Sequence, residues 1–179
     1  MKLLFKNYTH LTPTQSACIL ELRNLEYIRT NMKSTEIIAL EKHLEWVQTL
    51  KNDTSKEYFA LILDEVVVGS CSWMREENNK VSWGIYFINS INPLVSSLSA
   101  YLFIEYLFET KKNTHIESFV RKENILAYKF NQHLGFSLYK EDESFFYLNL
   151  TKEQWVQRGN NRFIISLKKY LGKIEYEFQ

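Results

Sequence analysis

The sequence predicts an α/β fold of the α+β kind, a mixed and mostly antiparallel sheet with helices on both faces. Three observations predict it. Two helical segments follow the first short strand. Three β-prone segments then succeed one another at 58–63, 66–74 and 81–88, too closely spaced for anything but antiparallel hairpins. The last half alternates helix and strand, which needs crossovers and so a mixed sheet. The full order is β-α-α-β-β-β-α-β-α-β-β. At 179 residues the chain suits one full-sized core. Residues 1–150 form the expected domain, and 151–179 a partly helical extension.

Each element has a local cause. Residues 2–8 are short and β-like. Thr12-Pro13-Thr14-Gln15 is a helix start: Thr12 caps, Pro13 suits the first turn and Gln15 completes a capping box. That helix runs to about residue 27, with Cys18, Leu22 and Leu25 on one side. An irregular connection at 32–38 leads to a second helix whose stripe is Leu40, Leu44, Val47 and Leu50. Asp64-Glu65 is the turn between the first two hairpin strands, and Glu76-Glu77-Asn78-Asn79 is the polar turn after the second. Residues 89–93 break the pattern before a helix over 95–109. A strand at 114–121 precedes a helix at 124–133, closed by Gly135 as its C-terminal cap. Strands at 136–139 and 145–150 end the domain. The tail carries Trp155, Phe163, Ile164, Ile165, Leu167 and Leu171.

Composition removes several function classes. Lys+Arg is 22 and Asp+Glu 21, a net charge of +1. Nucleic acid and anionic membranes select a basic excess, so neither is the expected partner. With 45% hydrophobic and 24% charged residues the chain is globular. Cys18 and Cys71 form no CxxC and no zinc-ligand spacing, so no metal is expected and a reduced, cytoplasmic setting fits. The apolar run near Met1 is too short for a signal peptide. The stretch 94–108 is too short and too polar to span a bilayer.

The element order and the segment Asn124-x-x-Ala127-x-x-Phe130-x-x-x-x-Gly135-Phe136 resemble the GNAT superfamily of acetyl-CoA-dependent N-acetyltransferases. Leu22-Arg23-Asn24, Met32, His43-Leu44 with Trp46, Lys56-Glu57-Tyr58-Phe59 and Gly84-Ile85-Tyr86 resemble, within it, the acetyltransferases of the pseudaminic-acid pathway. The resemblance covers about residues 1–150. It implies a GNAT fold with splayed central strands, acetyl-CoA as acyl donor, and as acceptor the 4-amino group of a UDP-linked 4-amino-4,6-dideoxy sugar used in flagellin glycosylation. A homodimer is compatible with it. It leaves two other readings: a protein N-terminal acetyltransferase of the same superfamily, or a GNAT-like binding module without catalysis.

The resemblance also assigns residues. Tyr86, Phe87 and Ile88 would flank pantetheine on the splayed strand, and a backbone N–H there would stabilise the oxyanion. Leu94, Val95, Ser96 and Ser97 replace the usual glycine-rich pyrophosphate loop, so the helix N-terminus itself must hold the phosphates. Asn124 would contact CoA. Arg23, Ser72, Met74, Arg75 and Tyr86 would meet the acceptor, the arginines as planar permanent charges for a diphosphate. His43 would hold the acceptor or take its amine proton. Asn131 stands where many members place a general-acid tyrosine, and Tyr128, about one turn earlier, is a substitute hydroxyl. A thiol leaving group with a pKa near that of Cys, about 8.5, departs with little help.

Overall fold

The computed structural model describes residues 1–77 and 80–179. Asn78 and Asn79 of the expected polar turn lie outside the described residues. In chain order the elements are β1 (Lys2–Asn7), α1 (Pro13–Asn24), α2 (Glu26–Arg29), α3 (Leu40–Leu50), β2 (Lys56–Leu63), β3 (Val66–Arg75), β4 (Lys80–Phe87), α4 (Pro93–Glu105), β5 (His115–Arg121), α5 (Ile125–Leu134), β6 (Ser137–Glu141), β7 (Phe145–Thr151), α6 (Lys152–Gln157), α7 (Arg162–Leu171) and β8 (Glu175–Phe178). They divide into two compact units. The first holds Met1–Met74, Ile85–Asn92 and Ile174–Gln179, and the second Arg75–Gly84 and Pro93–Lys173.

In the first unit β1 pairs antiparallel with β2, and β2 with β3. The turn between them is the one the sequence indicates: Asp64 and Glu65 both have positive φ, 44° and 72°, as a two-residue hairpin loop requires. β8 was not expected. It lies parallel to β1, with Phe178 opposite Phe5 and their rings stacked at 4.1 Å. Gly69 marks a close approach, because a Cβ there would lie 2.3 Å from the Tyr86 carbonyl oxygen.

The expected capping box starts α1, where Thr12 Oγ1 accepts from Gln15 N and Gln15 Oε1 from Thr12 N. Its buried face is a correction. Ser16, Ile19 and Leu20 point inward, Leu22 packs against the core as a partly buried residue, and Leu25, at the C-cap of a helix that ends at Asn24 and not near residue 27, is 40% exposed. The α3 stripe is also shifted. His43, Val47 and Leu50 are buried, and Leu40 and Leu44 are 46% and 39% exposed. The two shifts share a cause: Ser16 and His43 hydrogen-bond each other at 3.1 Å. That bond satisfies two polar groups between the helices, so burying them costs little. Beside this pair lies a core of Tyr8, Ile19, Val47, Leu50, Ala60 and Ile62.

In the second unit β7 pairs antiparallel with β5 and β6. β4 joins β5 in parallel over Lys80, Val81 and Ser82 only. The ladder stops at Ser82↔Glu117 although β5 continues to Arg121, as the expectation of diverging strands requires. All of 98–104 in α4 is buried. Trp83 is core, stacked on Phe136 at 5.2 Å. Gly135 closes α5 in the left-handed region, at φ 108°. The extension is helical through α6 and α7. Trp155 anchors it by donating to Glu105 Oε1 at 2.7 Å. Among the described residues no helix is long and apolar enough to cross a membrane.

Candidate active site

The first unit contains a polar and aromatic cluster with Tyr8 at its centre. β1 ends at Asn7, whose side-chain oxygen accepts from Thr9 N at 3.0 Å and so opens a 3-10 turn. That turn carries Tyr8 inward, to 5% exposure. The Tyr8 ring meets His43 at 6.2 Å, Trp46 at 6.1 Å and Tyr58 at 5.7 Å. Its hydroxyl lies 2.8 Å from Ser70 Oγ and 3.5 Å from the Tyr86 hydroxyl. Ser70 in turn donates to the Phe59 carbonyl at 3.0 Å. Burial raises the pKa of Tyr8 well above the usual phenol range and raises that of Tyr86 as well, so both hydroxyls keep their protons at neutral pH.

Arg23 faces this cluster, and its charge acts on Tyr86 and Tyr8. Its Nη2 donates to the Ser34 carbonyl at 2.8 Å, while its Nη1 is buried with no acceptor. Arg29 repeats the pattern: Nη1 donates to the Thr35 carbonyl and Nε is buried and unpartnered. The two like charges act on each other. Burial lowers the pKa of Arg23, and none of the described ion pairs supplies either arginine with a carboxylate. Among the described ion pairs neither of these half-buried cations, each with an orphaned donor, has a carboxylate partner, a setting whose chemistry suits an anion.

His43 is 5% exposed, and burial lowers its pKa from the ordinary imidazole value. It is therefore neutral at pH 7, with Nε2 against Ser16. It serves as a base only in the tautomer whose Nε2–H donates to Ser16, leaving the Nδ1 lone pair open. Ser72 and Met74 lie on the Ser70 side of β3, since strand side chains alternate. Met74 Sδ accepts from the Tyr58 hydroxyl at 3.5 Å. Phe87 and Ile88 belong to the same unit, and Ile88 N donates to the Val68 carbonyl.

The other residues singled out by the sequence lie in the second unit. Arg75 is exposed at the end of β3. Val95 is buried, and Leu94 is half-buried at the start of α4. The Ser96 and Ser97 hydroxyls both turn back onto the Pro93 carbonyl, at 3.0 and 2.7 Å. Asn124 caps α5, its Oδ1 accepting from Ala127 N at 3.1 Å. Tyr128 packs on Phe146 at 4.4 Å, and its hydroxyl accepts from Gln132 at 3.1 Å. Asn131 donates from Nδ2 to the Ala127 carbonyl at 2.8 Å, and its buried Oδ1 has no partner.

Of the sequence-chosen residues, the structure gathers Arg23, His43, Ser72, Met74 and Tyr86 in the first unit, with Arg75 in the second. It adds Tyr8, Arg29, Trp46, Tyr58 and Ser70. One signal for Ser70 was available: Ser70 and Ser72 alternate within an otherwise apolar strand, which places two hydroxyls on one face.

No family model matches the chain. Acetyltransferase PseH of Campylobacter jejuni, in two strains, is 30% identical over 145 residues, 81% of this chain and 91% of PseH. This chain belongs to the PseH acetyltransferase family. That makes it an acyltransferase. The crystal structure of Campylobacter jejuni N-acetyltransferase PseH in complex with acetyl coenzyme A superposes with a TM-score of 0.69 at 27% identity, covering 84% of this chain and 99% of that one. FdhC, described as a nucleotide-linked sugar GNAT, gives a TM-score of 0.75 at 22% identity over 95% of this chain and 94% of its own. Spermidine N-acetyltransferase from Vibrio cholerae gives 0.72 at 12% identity over 82% and 95%. These two likenesses concern the fold, which is that of the GNAT acetyltransferases.

Proposed function

We propose that this PseH-family member transfers the acetyl group of acetyl-CoA to the 4-amino group of a UDP-linked 4-amino-4,6-dideoxy sugar. The observation that carries the acceptor class is the pair Arg23 and Arg29, each with a buried donor that lacks an acceptor. A neutral amine or a peptide N-terminus would leave those donors unsatisfied. A diphosphate supplies the anionic oxygens that suit guanidinium forks.

The residues present fit acetyl-CoA. The backbone at the start of α4 sits at the positive end of its dipole, where a pyrophosphate would lie. Ser96 and Ser97 spend their hydrogens on Pro93, so backbone and not hydroxyl donors face the pyrophosphate. Within the second unit, Val95 and Leu94 form the apolar side of that turn and Asn124 stands at the start of α5; within the first, Tyr86 to Ile88 would flank pantetheine. When bound, acetyl-CoA supplies an activated acetyl thioester. The chain's own residues do the rest. Arg23 and Arg29 hold the diphosphate and fix where the sugar lies. Ser72 and Met74, in the same unit, line the acceptor side. Neutral His43 takes the amine proton on Nδ1. Asn131 carries a carboxamide, which is not an acid and does not protonate the leaving sulfur, and Tyr128 is a hydroxyl on the same helix.

Thermal stabilisation by CoA, UDP and the UDP-amino sugar, together with acetylation followed by mass spectrometry, tests this reading. Stabilisation by both CoA and UDP with formation of the 4-acetamido sugar supports it. Stabilisation by CoA without acetylation of that sugar removes it. Absence of any UDP effect removes the nucleotide-sugar reading.

A further inference from the structure

The hydroxyls of Tyr86, Tyr8 and Ser70 form a chain with a direction. Phe59 ends it with a carbonyl, which only accepts. Ser70 has one hydrogen and gives it to Phe59 at 3.0 Å. Ser70 must then accept from Tyr8, 2.8 Å away. Tyr8 has thereby used its own hydrogen, so it can only accept from Tyr86, at 3.5 Å. The Tyr86 hydrogen points inward and its lone pairs point away from the chain. The carbonyl also blocks proton relay, because it can neither take nor pass on a proton. The chain orients the hydroxyls, most tightly at the 2.8 Å link between Tyr8 and Ser70 and least at the 3.5 Å link to Tyr86.

Resting on the acceptor reading above, the geometry points to Tyr86 as the group that accepts a hydrogen bond from an N–H of the sugar's amino group, with Tyr8 and Ser70 as positioning residues that hold Tyr86 in this polarity. The Tyr86 oxygen therefore selects a donor at the sugar's reacting position and disfavours a group that only accepts. The N–H bond to Tyr86 leaves the nitrogen lone pair directed elsewhere. That lone pair forms the new C–N bond, the C–S bonding pair leaves with sulfur, and the surplus N–H proton goes to His43 or to water, never to Tyr86. Positive charge grows on the nitrogen as the C–N bond forms. The N–H to Tyr86 contact is thus stronger in the transition state than before it.

The test compares two ligands by calorimetry: the UDP-linked 4-amino sugar and its 4-keto counterpart, whose carbonyl only accepts. UDP alone is titrated in parallel. The wild-type protein should prefer the amino sugar by about tenfold or more, the size of one well-placed hydrogen bond. Tyr8→Phe removes the acceptor for the Tyr86 hydrogen, which is then free to turn outward and donate. The preference should fall by about tenfold with UDP affinity unchanged, and kcat should fall more than KM rises. Ser70→Ala should act in the same direction and gives a second variant if Tyr8→Phe folds poorly. Tyr86→Phe should abolish the preference. An unchanged amino-to-keto ratio in Tyr8→Phe or Ser70→Ala, with UDP still bound, overturns the inference alone. Failure of wild type to bind UDP overturns the acceptor reading beneath it as well.

Discussion

Replacing Arg23 by Met tests whether its guanidinium is held in wait for an anion. Methionine keeps much of the apolar stem and deletes the charge. Two effects oppose each other in the ligand-free protein. The bond from Nη2 to the Ser34 carbonyl, 2.8 Å and exposed, is lost, at about 1.5 kcal/mol. The buried unpartnered Nη1 disappears, which relieves about 1–3 kcal/mol, and the repulsion from Arg29 goes with it. The free protein should therefore hold its stability or gain up to about 1.5 kcal/mol, a rise in Tm of up to about 5 °C for this size. The ligand response moves the other way. UDP at about 100 times its Kd stabilises wild type by about 2.7 kcal/mol. Loss of one guanidinium contact worth a tenfold change in Kd halves this to about 1.4 kcal/mol at the same UDP concentration. Scanning fluorimetry with and without UDP reads both numbers. A variant that melts more than 5 °C lower without ligand, yet responds to UDP as wild type does, would refute the reasoning.

Three further substitutions test other parts of the structure. Gly69→Ala puts a methyl 2.3 Å from the Tyr86 carbonyl oxygen. It should cost about 3 kcal/mol, the upper range of overpacking, and a Tm within 2 °C of wild type would show that β3 and β4 can separate freely. Gly135→Ala meets both a φ of +108° and Arg158 Cδ at 2.2 Å. The strain alone is about 1–2 kcal/mol, and in an Arg158→Ala background the extra clash should vanish while the strain stays, a non-additivity that a double-mutant cycle measures. For His43, burial lowers the native pKa, so on acidification the unfolded chain binds a proton first. Its contribution is fully present above about pH 6.5, is lost as pH falls to the lowered native pKa, and is constant below. Urea midpoints from pH 8 down to pH 5 should show this loss in wild type and a shallower one in His43→Gln, and parallel curves would mean that His43 titrates alike in both states.

The elements that announce themselves by local chemistry were legible in the sequence. Thr12, Pro13 and Gln15 start α1 as written, Asp64-Glu65 turns the hairpin, and Gly135 ends α5. The features it hid depend on partners far along the chain. The four residues of β8 carry no strand signal of their own and exist through their pairing with β1. Leu40 and Leu44 suggest the buried stripe of α3 by hydropathy, yet His43 takes the inward place because Ser16, 27 residues away, bonds its ring. The candidate site divides in the same way. Arg23, His43 and Tyr86 were reached through family resemblance. Tyr8 and Ser70, 62 positions apart, become visible as partners only when β1 and β3 are placed. Arg29 has no sequence mark at all, and what distinguishes it is a buried nitrogen with no acceptor.

The pairing of β8 with β1 bears on how the protein is made. The first unit begins with Met1 and is closed by residues 174–179. Everything in the second unit from Pro93 to Lys173 is synthesised before that closing strand exists. Synthesis runs from the N-terminus, and domains generally fold as units as they emerge. Here the N-terminal unit cannot follow that order to completion. Phe5 lacks its stacking partner Phe178, and Asn7 N, whose residue opens the turn bearing Tyr8, lacks the Gln179 carbonyl at 2.7 Å. Of the two units, the one whose synthesis starts first must therefore finish last, and Tyr8 can reach its final setting only after residues 174–179 have been made.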